Sequence, residues 1–430
     1  MLRQQAFKFR IEPNGAQERL LRQFAGMSRF IFNKALSIQL AEQELSDKKQ
    51  SGYATLCKLL TEWRNSADTP WLAEGPSQSQ QQVLKNLENG WNLHFKSLQK
   101  FKQGLISKAE IVEKPRFKRK GRHDSFRFPE AKQFKIDASG SRVFLPKLGW
   151  IRYRNSRSIL GTPKNLTVSW KAGHWYISIQ TEREVEQPRH PATTAAGVDV
   201  GIVRFATLWD GQREVVIEPL NSFRRHEKRL AKAQRELSHK VKFSSNWKKA
   251  KARVQKIQHQ IATARNDFLH KASHSLSKSH ALLCVEDLQI KNMSRSASGT
   301  LDAPGRNVRA KSGLNKALLD QGFGEFYRQL DYKVQWQGGW LVAVPPHNTS
   351  RTCPVCGHVH ADNRKTQAVF LCVACGHTDN ADRVAAQNIR ERGLNSLKGQ
   401  DYGRIACEVN GAVRPSAAGT HRSEQLANAN

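Results

Sequence analysis

Cys353-Pro-Val-Cys356 and Cys372-Val-Ala-Cys375 are two Cys-x-x-Cys pairs separated by fifteen residues. Each pair is followed by Gly-His, and glycine there allows the left-handed turn that lets two thiolates point at one ion. This spacing is typical of a zinc ribbon, in which four sulfur ligands complete a closed tetrahedral shell. Such zinc stabilises structure and leaves no open position for a substrate. We therefore predict one structural zinc ion on Cys353, Cys356, Cys372 and Cys375, with two disulfides or four unconnected cysteines as the alternative.

The ribbon interrupts a longer order of strands and helices. Hydrophobic alternation predicts strands at residues 195–200, 203–208 and 214–217, with an Asp210-Gly211 hairpin turn between the last two. Two long helices follow, the second with a narrow apolar seam. We then predict a strand at 281–286, a Ser-, Gly- and Arg-rich loop at 291–313, a helix at 315–334, a strand at 340–344 and a helix at 382–392. This is the order of the RNase H-like architecture, an α/β domain that places acids at its first strand, fourth strand and last helix.

An acid stands at each of those three places. Asp199 lies in an otherwise apolar and glycine run, where an unpaired carboxylate is strongly penalised. Glu286 ends the fourth strand, with Asp287 as a competitor and a surface acid as the alternative. Asp382 begins the last helix, where a plain N-cap is the alternative. Three converging carboxylates would bind two Mg²⁺ ions, which activate a water and stabilise the departing 3′ oxygen of a phosphodiester.

The charge of the chain predicts a polyanionic partner. Seventy Lys and Arg residues against thirty-seven Asp and Glu residues give a net charge of +33. The basic residues are dispersed along the chain, which favours an extended nucleic-acid track over a single basic arm. Because no 18-residue apolar run and no signal-peptide core occur, we expect neither a membrane partner nor secretion. The three cysteines outside the ribbon, Cys57, Cys284 and Cys407, indicate a reducing compartment, the cytoplasm.

The N-terminal half predicts a barrel and a helical bundle. A short strand at 7–11 is followed by helical periodicity across residues 13–107, whose start could be a helix-turn-helix. The basic run Lys114-Pro-Arg-Phe-Lys-Arg-Lys-Gly-Arg122 is too broken for a helix and is either a solvated linker or a phosphate contact. Short strands at 125–181 predict a small barrel. Its first strand would lie in residues 1–12 and the rest in 108–190, so that the bundle would be an insertion. The fold class is multidomain α+β.

With these residues in place, the sequence resembles TnpB, the RNA-guided endonuclease of bacterial insertion sequences, also called OrfB transposase and similar to the ancestor of type V CRISPR nucleases. The matching stretches run from position 7 to position 389. They are Phe7-Lys-Phe-Arg-Ile-Glu-Pro13, Arg29-Phe-Ile-Phe-Asn33, Gly197-Val-Asp-Val-Gly201, Asn246-Trp-Lys-Lys-Ala250, Val285-Glu-Asp-Leu288, Thr349-Ser-Arg-Thr-Cys-Pro-Val-Cys-Gly357 and Asp382-Arg-Val-Ala-Ala-Gln-Asn-Ile389.

The resemblance implies a wedge-type barrel (residues 1–12 and 108–190) interrupted by a helical recognition domain (13–107). It also implies a RuvC nuclease domain (191–349 and 379–394) interrupted by the zinc ribbon (350–378). The partners it implies are a guide RNA from the transposon end and a double-stranded target DNA, bound by a monomer in the bacterial cytoplasm. Asp199, Glu286 and Asp382 fall on the family's catalytic triad, and the four ribbon cysteines on its zinc ligands. One position departs, because Val384 stands where the family usually has Asn.

Two other functions are consistent with parts of the sequence. A nuclease-dead, RNA-guided DNA-binding regulator is known among relatives of the family, but the intact acids argue against it. A helix-turn-helix DNA-binding transposase or regulator that acts without RNA would account for the basic helices and leave the three acids unexplained. The polar tail, residues 395–430, is expected to be disordered.

Overall fold

The computed structural model of the chain describes residues 1–45, 50–122, 124–300 and 303–397. They form two compact units, one of Met1–Val185 and one that begins at Glu186. Each unit has its own hydrophobic core. None of the helices in the described ranges combines the length and the apolar character needed to cross a membrane.

The first unit contains a seven-stranded antiparallel sheet. Its spatial order is β2-β6-β7-β1-β5-β4-β3, so β2 and β3 are free edges. A barrel gives every strand two partners, so for the described residues the predicted barrel is wrong. The edge strands have only four and three residues, which leaves few backbone groups for a closing ladder. The strands are β1 (Leu2–Glu12), β2 (Ser125–Phe128), β3 (Lys135–Asp137), β4 (Arg142–Leu145), β5 (Gly149–Tyr153), β6 (Thr162–Lys171) and β7 (His174–Glu184).

Three helices lie between β1 and β2 in the chain: α1 (Gly15–Glu44), α2 (Tyr53–Asn65) and α3 (Ser77–Lys102). The first begins at a capping box, in which Asn14 and Gln17 each accept a hydrogen bond from the other's backbone N–H. All three contain residues predicted to be helical from their apolar periodicity. The chain thus leaves the sheet after β1 and returns to it at β2, and helices and sheet share one core.

The basic segment from Lys114 to Arg122 contains neither helix nor strand, as predicted. It is nevertheless anchored to α1. The Asn33 side chain donates to the carbonyl of Lys118 at 3.0 Å and accepts from its N–H at 2.8 Å. Just beyond the segment, Arg29 pairs with Asp124 at 2.9 Å. The segment is therefore anchored to the helix at Lys118, while most of its residues are exposed to solvent, so both the linker and the phosphate-contact interpretation remain open.

The second unit is built on a five-stranded sheet with the order β10-β9-β8-β11-β12. The central strands β8, β11 and β12 run parallel, whereas β9 and β10 are antiparallel neighbours joined by the predicted hairpin turn. The strand after Gly201 begins three residues later than predicted, because a backbone bond from Gly201 to Phe205 closes a turn first. The strands are β8 (Ala195–Val200), β9 (Ala206–Trp209), β10 (Glu214–Ile217), β11 (Leu282–Glu286) and β12 (Trp340–Val344).

The helices of the second unit are α4 (Ser222–Ser238), α5 (Ser245–Ser279), α6 (Ile290–Met293), α7 (Val308–Gln321), α8 (Phe323–Trp336) and α9 (Ala381–Leu397). Helices pack on both faces of the sheet, with α5, α7 and α8 in one core and α9 in the other, while α4 packs on α5. The predicted loop at 291–313 is wrong in part, because α6 and the start of α7 lie in it. The predicted single helix at 315–334 is two helices, since Gly322 adopts φ 73°, which ends a right-handed helix.

The last helix is longer than predicted. Its end at Leu397 is 5% exposed and packs beneath β8 and β11, so burial extends the helix past the predicted end at residue 392. Residues 395–397, assigned to the disordered tail, are therefore helical. The rest of that tail lies outside the described residues. Between β12 and α9 the ribbon contributes a small hairpin, β13 (Val369–Leu371) with β14 (Thr378–Asn380).

Candidate functional site

Two parallel strands bring the first two acids side by side. Asp199 is the last residue but one of β8, and Glu286 is the last residue of β11. Val198 pairs with Val285 in the parallel ladder between these strands. The two acids follow in register, so both lie at the carboxyl edge of the sheet.

Helix α9 supplies the third acid, Asp382, from its first turn. This helix lies directly against the sheet: a Cβ on Gly197 would stand 2.0 Å from the carbonyl oxygen of Ala386, and one on Gly393 would stand 2.1 Å from Sγ of Cys284. Only residues without side chains permit such an approach. The charge of Asp382 consequently acts on Asp199.

The three carboxylates repel one another in a poorly hydrated place. Burial raises the pKa of Asp199 well above its usual range, and the charges of Glu286 and Asp382 raise it further. Burial also raises the pKa of Glu286, while a hydrogen bond from Thr349 opposes that rise. A site of this kind favours a bound cation, because a cation stabilises the ionised carboxylates.

The three acids share an edge without meeting at one point. Among the described His, Cys, Asp and Glu residues, only the four ribbon cysteines have ligand atoms that all lie within 4.8 Å of one another. The predicted site holds two ions about 3.5–4 Å apart, so it does not require all three carboxylates to reach one point, and their convergence on metal stays a prediction.

The neighbouring acids are placed differently. Asp287 is exposed, whereas Glu286 is buried. Asp379 forms an ion pair with Arg383, whose Nε lies 2.9 Å from its carboxylate. The helix is capped by Asn380 and not by Asp382, because the side-chain oxygen of Asn380 accepts a hydrogen bond from the N–H of Asp382 at 3.0 Å. The carboxylate of Asp382 is thus not consumed by capping.

Three residues around the acids were not predicted from the sequence. Arg364, from the ribbon, lies 3.5 Å from the carboxylate of Asp382 and lowers the pKa of the other two acids. Thr349 donates to Glu286 at 2.6 Å. The hydroxyl of Tyr327 on α8 is buried without a hydrogen-bond partner among the described residues and interacts electrostatically with Glu286. Thr349 opens one of the quoted motifs; no spacing signal points to Arg364 or Tyr327.

The ribbon brings its four thiols together. Sγ of Cys353 lies 3.7 Å from that of Cys375, and Sγ of Cys356 lies 3.6 Å from that of Cys372. A disulfide requires about 2.05 Å. Four sulfurs bound tetrahedrally at about 2.3 Å from one ion would stand about 3.8 Å apart, so the arrangement fits a closed metal site. The N–H of Cys375 lowers the pKa of Cys372 to about 7, whereas hydrogen bonds among the thiols raise the pKa values of Cys356 and Cys375, so the four sulfurs share protons as one set.

Asn363 joins the two halves of the ribbon. It is fully buried, its amide nitrogen donates to the carbonyls of Arg351 and His358 at 2.9 and 3.1 Å, and its oxygen accepts from the N–H of Val373 at 3.0 Å. One side chain thus satisfies backbone groups beside both cysteine pairs.

Comparison with known proteins identifies the family. The chain is 49% identical over 393 residues to "Putative RNA-guided DNA endonuclease InsQ" of Escherichia coli K12, covering 91% of this chain and 93% of that protein. The chain belongs to the TnpB family. A protein of Streptomyces pristinaespiralis, "Putative RNA-guided DNA endonuclease", is 30% identical over 395 residues, with 90% and 89% covered. A chain in the complex of Cas12f1 with sgRNA and target DNA aligns over 90% of this chain and 99% of its own length at 17% identity, with a TM-score of 0.33.

Three family models match parts of this TnpB-family chain. The one described as "Probable transposase" matches residues 178–297, which include Asp199 and Glu286. The one described as "Cas12f1-like, TNB domain" matches residues 323–389, which include the ribbon and Asp382. A "Helix-turn-helix domain" model matches residues 1–44. All of residues 1–44 are described by the structure, and they form one strand and one helix, β1 and α1, without a helical pair.

Val384 occupies the position at which the resemblance leads us to expect Asn. Its side chain is fully buried in a cluster with Cys353, Phe370 and Cys372. Val384 therefore packs α9 against the ribbon. The polar contact from this helix to the site is made four residues later by Asn388, whose amide donates to the carbonyls of Thr349 and Thr352 at 2.7 and 2.8 Å.

Proposed function

We propose that this chain is an RNA-guided endonuclease of an insertion sequence that cuts double-stranded DNA beside a short flanking motif. One observation carries the proposal: Asp199, Glu286 and Asp382 lie at the same edge of the β10-β9-β8-β11-β12 sheet. This is where an RNase H-like domain of the RuvC type carries its acids. The names of the relatives support RNA guidance and a DNA substrate. The net charge of +33 suits two polyanionic partners.

The acids would hold two Mg²⁺ ions, since carboxylate oxygens are the ligands that Mg²⁺ prefers. Bound there, the ions would supply an activated water and stabilise the charge of the leaving 3′ oxygen. The protein's residues prepare the site. Thr349 fixes Glu286 through a 2.6 Å hydrogen bond, and Arg364 offsets the repulsion among the acids while its guanidinium remains able to contact a phosphate.

The four ribbon cysteines would hold one zinc ion with a structural role. The closed sulfur set leaves no place for a substrate. Metal binding and folding are coupled in units this small. Because Arg364 belongs to the ribbon and α9 follows it directly, the bound zinc would position both Arg364 and Asp382.

The first unit would hold the nucleic acids. In this proposal the helices α1, α2 and α3 and the seven-stranded sheet bind the scaffold of a guide RNA transcribed from the transposon end, and the basic segment Lys114 to Arg122 contacts phosphates. The functional particle would be one protein chain with one RNA in the bacterial cytoplasm, associated with the nucleoid when it is on DNA.

The test uses protein purified with its RNA and a plasmid that carries the matching sequence and flanking motif. With Mg²⁺ present, exchange of the RNA segment that pairs with the target should move the cut to the new match. Asp199→Ala should abolish cutting and preserve RNA-guided binding, whereas Asp287→Ala, at an exposed acid, should still cut. A cut site that stays fixed when the RNA changes would refute RNA guidance, and undiminished cutting by Asp199→Ala would refute the active site.

A further inference from the structure

The tip of the α4–α5 hairpin exposes apolar side chains among lysines. Between these helices Val241 is 79% exposed and Phe243 is 67% exposed. Trp247, in the first turn of α5, is half-buried, and its ring centroid lies 5.5 Å from that of Phe243 with the planes tilted by 58°. Two aromatic rings thus form a small exposed platform at the end of a long helical projection.

This platform does not serve the hairpin's own core. That core consists of Leu230, Ala233, Val254, Ile257 and Ile261, and neither ring belongs to it. Phe243 also adopts a left-handed backbone conformation, φ 71°, which is unfavourable for a bulky residue and natural for Asn or Gly. An exposed aromatic residue in a strained conformation points to a ligand rather than to folding.

The charges around the two rings are positive, which indicates an anionic ligand. Nζ of Lys242 lies 5.5 Å from the ring centroid of Phe243, and Nζ of Lys251 lies 5.0 Å from that of Trp247. No acidic residue occurs in the sequence between Glu236 and Asp267. Aromatic faces with surrounding cations are how proteins bind single-stranded nucleic acids, in which bases stack on rings and phosphates contact lysines.

We propose that the hairpin tip, residues 240–251, binds unpaired nucleotides. A base stacks on Phe243 and Trp247, and the adjoining phosphates contact Lys240, Lys242 and Lys251. The proposal rests on the proposed function, since it adds a contact to the same RNA–DNA complex. The strand could belong to the guide RNA or to the opened DNA, which present the same chemistry to the tip.

Photo-crosslinking tests the contact. Complexes of the full chain with guide RNA and target DNA are assembled with 5-iodouracil in the RNA, in the target strand or in the displaced strand, one arm each. After irradiation and digestion with trypsin, the peptide from Phe243 to Lys248, which contains both rings, should carry a nucleotide in one arm. That arm identifies the strand. Absence of a crosslink on this peptide in all three arms would overturn the proposal.

Substitution gives the second measurement. Phe243→Asn removes the ring, keeps the charge and suits a left-handed backbone, so the protein should unfold at the same temperature or a higher one. Its crosslink should disappear, and its affinity for a 20-nucleotide oligouridine or oligothymidine should fall about fivefold or more. Val241→Asn, at an exposed position of the same tip without a ring, should bind like the wild type.

The outcomes separate the two proposals. Unchanged affinity of Phe243→Asn, or a lowered unfolding temperature that shows the ring packing on protein, would overturn the role of the tip while guided plasmid cleavage continues. Loss of guidance in the plasmid assay would instead refute the proposed function, and the crosslink would still report whether the tip binds a strand.

Discussion

The hydroxyl of Thr349 donates a 2.6 Å hydrogen bond to Oε1 of Glu286. Both residues are buried. The carbonyl of the same threonine accepts a hydrogen bond from Asn388 of α9 at 2.7 Å. The last residue of β11, the segment that leads into the ribbon and the helix that carries Asp382 are therefore connected through one threonine.

Thr349→Val should slow DNA cleavage about tenfold without weakening RNA-guided DNA binding. Valine keeps the shape but leaves a buried carboxylate oxygen without its donor, and a charge-assisted hydrogen bond is worth about 1.5–3 kcal/mol. Single-turnover cleavage at saturating protein measures the effect. Thr349→Ser retains the hydroxyl and should cleave at nearly the wild-type rate. Equal cleavage rates for Thr349→Val and the wild type would show that this hydrogen bond does not contribute to catalysis through Glu286.

Asp199→Asn should raise the thermal stability of the Mg²⁺-free protein at neutral pH. The folded pKa of Asp199 is raised above its unfolded value, so the folded state binds more protons and loses stability as pH rises through the interval between the two values. Asparagine removes that loss. The difference in unfolding temperature should be present at pH 7 and vanish below about pH 4, where both states of the aspartate are protonated. Added Mg²⁺ should stabilise the wild type and not the variant.

A stabilising effect that persists unchanged at pH 3.5 would contradict this electrostatic explanation. Asp287→Asn provides the matched control, because that neighbouring acid is exposed and its replacement should leave the unfolding temperature nearly unchanged at every pH.

Cys353→Ser should lose zinc and the ribbon fold together. A native chain should carry one zinc by elemental analysis, and chelation should unfold the ribbon since binding and folding are coupled. Cys57→Ser, a cysteine in α2 outside the ribbon, should keep the metal. Finding equal zinc in native protein and Cys353→Ser would contradict the assignment of this ligand.

The sequence predicts those parts of the fold that depend on local pattern. The strands predicted at 195–200 and 340–344 begin and end at the same residues as β8 and β12. The spacing of the cysteines correctly identifies the four thiols that the structure brings together. What it misses depends on long-range placement. Arg364 reaches Asp382 only because the ribbon folds over α9. The open edges of the first sheet follow from which strands pair, and a strand's alternation does not specify its partner.

Gly197→Ala should displace α9 from the sheet and abolish cleavage. The added Cβ would stand 2.0 Å from the carbonyl oxygen of Ala386 and 2.6 Å from the backbone nitrogen of Arg390, and neither can move without shifting the helix. We expect a loss of about 3 kcal/mol or more in the free energy of unfolding, within the range of severe core overpacking.

Gly313→Ala provides the control: this exposed glycine in α7 has nothing within 4 Å of its added Cβ, and alanine there should stabilise the helix by up to about 1 kcal/mol. Thermal unfolding followed by circular dichroism, together with plasmid cleavage, measures both effects. Because Asp382 depends on this contact for its place beside Asp199, an active and stable Gly197→Ala protein would mean that α9 reaches the acids by a different packing from the one described.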